Sequence, residues 1–170
     1  MPKPQVVLVT PEDEIIGQAD LLSAHRGNGQ LHRAVSILIF THDHKLLLQQ
    51  RSSHKPLWPL FWSNTCCTHL QPNQTNLDCA KQRLEEEMGI STNLNYKYTF
   101  EYQARYNQQL SEHELDAVFF GRTDQKPNLD PKEAADFKYL SYPELVADIK
   151  LKPDQYTPWL KLILKKIPSF

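Results

Sequence analysis

The sequence predicts a mixed α/β (α+β) fold, with mixed β-sheets flanked by helices, and three observations carry that prediction. Every even position from 96 to 106 is Tyr, Phe or Ala, the period of two that a strand with one packed or ligand-facing surface requires. Leu77, Ala80, Leu84 and Met88 recur at helical spacing between a Thr75-x-x-Asp78 start and Gly89 at the expected stop, which predicts a helix over 76–88. Only 5 glycines occur in 170 residues, so the Gly-rich phosphate loops of dinucleotide-binding and Walker-type folds are excluded.

The elements follow in chain order. Residues 5–9 (Gln-Val-Val-Leu-Val) read as a short strand and 11–14 as a turn, and 15–30 as a loop with a short helix ending in Gly27-Asn28-Gly29. The β-branched run 31–40 and the leucine-rich run 45–50 flank the polar break Thr41-His42-Asp43-His44, which predicts a hairpin. Residues 52–61 form an irregular loop. On helix 76–88, Arg83 and Glu87 are four apart and share a stripe beside Leu84. Strand 96–106 turns at 107–109 into strand 111–122. There Glu112, Glu114 and Asp116 share one face, and His113, Leu115, Ala117 and Phe119 the other. A Pro-rich loop at 127–131, a strand at 137–140 and helical segments at 143–149 and 158–166 complete the chain, without repeats or low-complexity tracts.

Length and charge bound the function. At a typical ~150 residues per domain, 170 residues predict one domain spanning 1–170. Nineteen Lys and Arg against 20 Asp and Glu leave a net charge of −1, so there is no global basic field to hold nucleic acid or an anionic membrane. Any charged ligand must be held locally. Three cysteines, an odd number with Cys66 and Cys67 adjacent, fit a reducing compartment and predict a cytoplasmic protein. The longest apolar stretch, 34–40, falls far short of the ~20 residues that cross a bilayer, and no export signal is evident.

Three constellations can carry chemistry. Glu112 and Glu114, side by side on a strand, can bite one cation together, or they can form a solvated outer face. With His25, His32 and His69 they would make a five-ligand N/O site suited to Mn²⁺, Mg²⁺ or Zn²⁺, although no short His-x-x-His pair supports this. His42, His44, His54 and His113 are expected in turns or at the surface. In Cys66-Cys67-Thr68-His69, a thiol two residues before a histidine is either poised for chemistry or a small buried hydrophobe. If the segment is extended, only one of the two adjacent thiols faces a site. Cys79 is expected to be core. Arg51, Lys55 and Arg83 with one carboxylate are the residue types that hold a diphosphate and its Mg²⁺, and each is also an ordinary surface charge.

Taken together these residues resemble one family, the type I isopentenyl-diphosphate isomerases of the Nudix superfamily. The resemblance rests on Leu31-His32-Arg33-Ala34, Lys55 with Trp58-Pro59, Trp62-Ser63-Asn64, Cys67-Thr68-His69, Glu86-Glu87-Met88-Gly89-Ile90, Glu112-His113-Glu114 and Thr157-Pro158-Trp159. It implies a Nudix-like fold and an isomerase of isoprenoid biosynthesis that acts as a monomer on a small diphosphate. It further implies that His25, His32, His69, Glu112 and Glu114 hold a divalent ion, Mn²⁺ or Mg²⁺ and with less support Zn²⁺. Cys67 and Glu114 would be the acid/base pair, Tyr102 would assist protonation, and Trp159 would face the carbocation. Glu87, with the Cys67 carbonyl, would bind a second Mg²⁺ bridging the diphosphate, which Arg51, Lys55 and Arg83 would contact. Trp58 and Trp62 are candidates for pocket walls or core. Where the family commonly carries a lysine, four residues before the first metal histidine, this sequence has Leu21.

A Nudix hydrolase and a catalytically silent metal-binding module of the same fold are the alternatives. The hydrolase box G-x5-E-x7-R-E-U-x-E-E-x-G-U, where U is a bulky aliphatic, can be anchored on Gly89. Thr68, Gln74, Gln82 and Arg83 then fall at its first Gly, first Glu, Arg and following Glu, while Leu84, Glu86, Glu87 and Ile90 match. The lost carboxylates are those that would hold water-activating metals, so hydrolysis is disfavoured.

Overall fold

A computed structural model describes residues 4–170. Its centre is β3 (His32–Phe40), buried along almost its whole length because it has a neighbour on each side and a layer on each face. The sheet order is β2 (Ile15–Asp20), β1 (Gln5–Val9), β3, β4 (Leu46–Arg51) and β5 (Trp62–Ser63). β6 (Cys66–His69) and β8 (Ser111–Arg122) also pair with β3, β7 (Leu94–Arg105) with β8, and β9 (Ala134–Leu140) with β4. The β3–β4 hairpin pairs only at Ile39↔Leu47 and Phe40↔Leu46; beyond that the strands diverge, β3 running parallel to β8 and β4 antiparallel to β9.

One face of the sheet, with Val35, Ile37, Ile39, Leu115, Ala117 and Phe119, packs on α2 (Asn76–Met88) through Cys79, Ala80, Leu84 and Met88. The other, with Leu38, Phe40, Leu46, Leu48 and Val118, packs on Leu145 of α3 (Tyr142–Leu151) and on Leu160, Ile163 and Leu164 of α4 (Pro158–Lys165). α2 has the predicted bounds: Thr75 Oγ1 accepts from Asp78 N at 3.1 Å, and Gly89 closes the helix at φ 64°. Leu77, the first of the apolar residues at helical spacing, is exposed on its first turn.

Four strands differ from expectation. β2 lies where a loop is predicted: Ile15 and Ile16 are adjacent and 63% and 66% exposed, so the strand shows no alternation and forms by backbone pairing with β1. β5 and β6 are too short to show a period, and a cross-sheet partner makes each of them. β7 carries a bulge between Tyr96 and Tyr98, which turns Tyr96 away from the even-numbered face and leaves it 57% exposed.

Candidate active site

Strand register brings the site together. The parallel pairing of β3 with β8 sets His32 opposite Glu114, the β3–β6 pairing sets Ala34 opposite His69 and Ser36 opposite Cys67, and the β7–β8 pairing sets Tyr102 opposite Glu114. α1 (Leu21–Ala24) ends at His25, whose carbonyl accepts from Ser111 N at 2.8 Å and so anchors that ring beside β8.

The rings of His25, His32 and His69 stand 4.9–5.1 Å apart, centroid to centroid. His25 Nε2 is 2.8 Å from Glu112 Oε2, and His69 Nε2 is 3.6 Å from Glu112 Oε2 and 2.9 Å from Glu114 Oε1. His32 Nδ1 lies 2.7 Å from the Gln30 carbonyl; a carbonyl only accepts, so Nδ1 carries the proton and Nε2 presents a lone pair to the cluster. Burial pushes His32 down to about 3, which keeps it neutral. Burial would lower His69 as well, but the neighbouring Glu112 and Glu114 carboxylates raise it to about 10. The solvated-face reading of Glu112 and Glu114 is thereby overturned, since both are buried.

The cluster fits a divalent ion. His25 Nε2, His32 Nε2 and Glu112 Oε2 are buried without a hydrogen-bond partner, even though His25 and Glu112 approach to 2.8 Å; the approach lacks hydrogen-bond alignment. One donor atom from each of His25, His32, His69 and Glu112 falls within 4.8 Å of all the others. Orphaned buried donors and acceptors are costly unless a ligand satisfies them. Glu114 sits at the edge of this group, 3.9 Å from His32 Nε2, and its Oε2 accepts from the Tyr102 hydroxyl at 2.5 Å. Burial, and then the charge of Glu112, raises the Glu114 carboxyl above the usual range. Asp116 shares their strand face but is fully buried behind them and accepts from Ser36 Oγ at 2.7 Å.

A cavity of about 300 Å³ adjoins the cluster, lined by His25, His69, Glu112 and Glu114. Cys67, Tyr102, Trp159, Arg51, Lys55 and Arg83 also line it. Cys66 points into the α2 core and Cys67 to the cavity side, as alternation on a strand requires. Burial pushes the Cys67 thiol up to about 11, against the lowering effect of Arg51, whose Nη1 is 3.6 Å from Sγ. Trp159 Nε1 donates to Ser63 Oγ at 2.9 Å, and the ring lies 6.2 Å from Tyr102 and 5.2 Å from the Arg51 guanidinium. Arg51 is fixed by the Leu57 and Trp58 carbonyls, at 2.9 Å from Nη2 and 3.1 Å from Nε.

Not every expected residue faces the cavity. His32 completes the cluster from behind. Glu87 is buried with its carboxylate bonded to Arg83 Nη2 at 2.7 Å and to Gln49 Nε2 at 3.4 Å, and does not line the cavity. Trp58 packs edge-on against Trp159 at 5.4 Å, and Trp62 packs on the Leu38 and Leu48 core beneath the Lys138 ammonium; neither lines the cavity. Leu21 does line it. Two neighbours escaped the sequence reading. Ser63, which orients Trp159 and lies 3.7 Å from Cys67 Sγ, is signalled only by the Trp62-Ser63-Asn64 stretch of the resemblance; Glu133, in a loop, carries no signal.

Comparison with known proteins agrees with this geometry. The NUDIX domain family model matches residues 30–160. The chain is 41% identical over 165 residues to isopentenyl-diphosphate Delta-isomerase 2 of Aromatoleum aromaticum, covering 97% of this chain and 87% of that protein. It is 39% identical to the isopentenyl-diphosphate Delta-isomerase of Pectobacterium atrosepticum, covering 100% and 94%. The chain belongs to the isopentenyl-diphosphate Delta-isomerase family of NUDIX-domain proteins. As an isomerase-family member it keeps the general NUDIX fold. A crystal structure from Deinococcus radiodurans superposes with a TM-score of 0.80 at 17% identity, covering 97% of this chain and 99% of that one. A MutT NUDIX hydrolase from Burkholderia pseudomallei superposes with a TM-score of 0.65 at 16% identity, covering 81% and 98%. Among the described residues no helix is long and apolar enough to cross a membrane.

Proposed function

We propose that this protein interconverts isopentenyl and dimethylallyl diphosphate by moving a proton on and off the carbon skeleton. The observation that carries the reading is one cavity bounded by a protonated thiol, a carboxyl hydrogen-bonded to a tyrosine, a tryptophan ring and a cationic wall. Moving the double bond from the 3,4 to the 2,3 position requires adding a proton to the terminal CH₂ of an unactivated alkene and removing one from C2. Two poised groups are therefore needed. Cys67 and the Tyr102–Glu114 pair are those groups, one giving and the other taking, with the roles exchanged in the reverse direction. The proton added at one carbon leaves a tertiary carbocation, which the buried Trp159 face stabilises and the aromatic lining keeps from water.

Arg51, Lys55 and Arg83 would take the diphosphate oxygens. The His25, His32, His69, Glu112 and Glu114 cluster would hold Mn²⁺ or Mg²⁺, with Zn²⁺ a weaker candidate, supplying positive charge that fixes the Glu114 carboxylate. A second Mg²⁺ bridging the diphosphate would use Glu87 once Arg83 releases it. Three unpaired cysteines favour a reducing, cytoplasmic setting, and we expect one domain acting as a monomer.

The test is ¹H and ³¹P NMR of the purified protein with isopentenyl diphosphate and Mg²⁺. Growth of the allylic product's two methyl signals without phosphate release is the expected result. Phosphate release without those signals means hydrolysis, and no change means a silent module; either sinks the proposal.

A further inference from the structure

The basic end of the cavity carries its own anion. Glu133 stands one residue before β9. Its Oε2 is paired with the Lys55 ammonium, and its Oε1 accepts from Arg83 Nη2 at 3.0 Å. All three side chains line the cavity and are partly buried. The fold fixes this placement: Ser52 N donates to the Glu133 carbonyl at 3.0 Å, Glu133 N donates to the Asp130 carbonyl at 3.0 Å, and the β4–β9 register shifts where Arg51 meets Ala134. Burial alone would raise the Glu133 carboxyl, but hydrogen bonds and charge from Lys55 and Arg83 hold it below the usual range, so it is ionised at neutral pH. Arg83 is already matched by Glu86 at 2.8 Å and Glu87 at 2.7 Å and does not need a third carboxylate for neutralisation.

A diphosphate reaching for Lys55 and Arg83 therefore meets a resident negative charge on the same two donors. The isomerisation leaves the diphosphate unchanged, so a tighter grip on it would be equal in substrate, transition state and product, and would not speed the chemical step. We propose that Glu133 is the affinity-setting residue of the diphosphate end: it holds Lys55 and Arg83 toward the cavity as their counter-anion, and the incoming diphosphate displaces it. Binding is thereby moderated and product release eased. The inference rests on the reading of Lys55 and Arg83 as diphosphate contacts.

Inorganic diphosphate is the probe, measured by calorimetric titration and by inhibition of isomerisation at constant ionic strength, with and without Mg²⁺. The full chain is compared with Glu133→Gln, Glu133→Ala and Glu133→Asp. Removing the charge should tighten diphosphate binding about fivefold, the scale of one partly exposed ion pair, and should lower KM more than it changes kcat. Glu133→Asp, which keeps the charge, should stay near the parent value. A scaffolding role predicts the opposite sign, because freed Lys55 and Arg83 side chains would bind more weakly. Unchanged or weaker binding in folded Gln or Ala variants overturns the proposal, as does failure of both to fold. Weakening seen only with Mg²⁺ replaces it with a metal-ligand role. No diphosphate binding by the parent or the variants overturns the diphosphate reading together with this inference.

Discussion

Two polar clusters on this sheet, one partly exposed and one buried, have opposite hydrogen-bond balances. Beside α3, Lys138 Nζ donates to Asp148 Oδ2 at 3.0 Å and to the Tyr156 hydroxyl at 2.7 Å, and that hydroxyl donates to Asp148 Oδ2 at 2.5 Å. Lys152 closes the ring at 3.3 Å from Oδ1, and the Lys138 ammonium rests 4.2 Å from the Trp62 ring centroid. Each donor in that cluster has an acceptor inside it. In the His25, His32, His69 and Glu112 cluster three buried atoms have none, and they converge on one point. The first cluster ties α3 and the chain before α4 to β9; the second is incomplete without a ligand. The contrast teaches that residue types do not separate a structural polar cluster from a functional one, whereas the balance of donors and acceptors does.

The sharpest break in that comparison is catalytic. Cys67→Ala and Glu114→Gln should each lower kcat by at least ~10²-fold, the usual scale for general acid–base groups, and Asp148→Asn should not. Steady-state kinetics of the three variants decides it; a comparable loss in Asp148→Asn would merge the two clusters. Next in size is metal. Chelator-treated protein should gain ~2.7 kcal/mol of stability at a hundredfold excess of Mn²⁺ or Mg²⁺ over its Kd, read as a rise in Tm that His32→Gln abolishes. Because Glu112 and Glu114 raise His69 to about 10, its proton is present at pH 7 and metal entry should release it, which calorimetry in two buffers of different ionisation enthalpy measures.

The satisfied cluster makes the third prediction. Hydrogen bonds from Tyr156 and then Lys138 hold Asp148 at about 2, below the ordinary 3.8. The folded pKa is the depressed one, so the contribution of Asp148 is complete above its unfolded pKa and is lost as pH falls through about 2. Tyr156→Phe should cost about 1 kcal/mol at pH 7, with the gap in Tm to the parent closing between pH 4 and 2. The smallest effect belongs to Cys66→Ala: it removes a buried sulfur from the α2 core, should cost about 1 kcal/mol, and should leave kcat nearly unchanged. A loss of activity matching Cys67→Ala would put the wrong thiol in the site.

Much of the site was legible before the structure because its residues announce themselves by type. The bounds of β1 and α2 follow from a valine-rich run and a Thr75 cap with a Gly89 stop, and β8 spans the predicted 111–122, where residues 112–119 split between two faces. Less legible was anything made by a distant partner. β2 has no period because both its isoleucines face water, and β6 is four residues long. The bulge at Tyr96 breaks a pattern that looked perfect in one dimension. Trp58 and Trp62 could not be sorted into wall or core by their spacing, and the structure places both outside the cavity lining.

The sequence by itself determined β1, α2 and β8, the alternation that separates Cys66 from Cys67, and the inventory of imidazoles, carboxylates and cations, because those depend on local geometry and side-chain chemistry. Only the tertiary structure decided that β3 runs parallel to β8 while β6 lies on its other side, and so that residues 25, 32, 69 and 112 meet at one point with 114 at its edge. It also decided that Glu133 meets Lys55 and Arg83. The physical reason is register: strand pairing converts sequence separations of many tens of residues into contacts of a few ångströms, and no local pattern encodes which strands will pair.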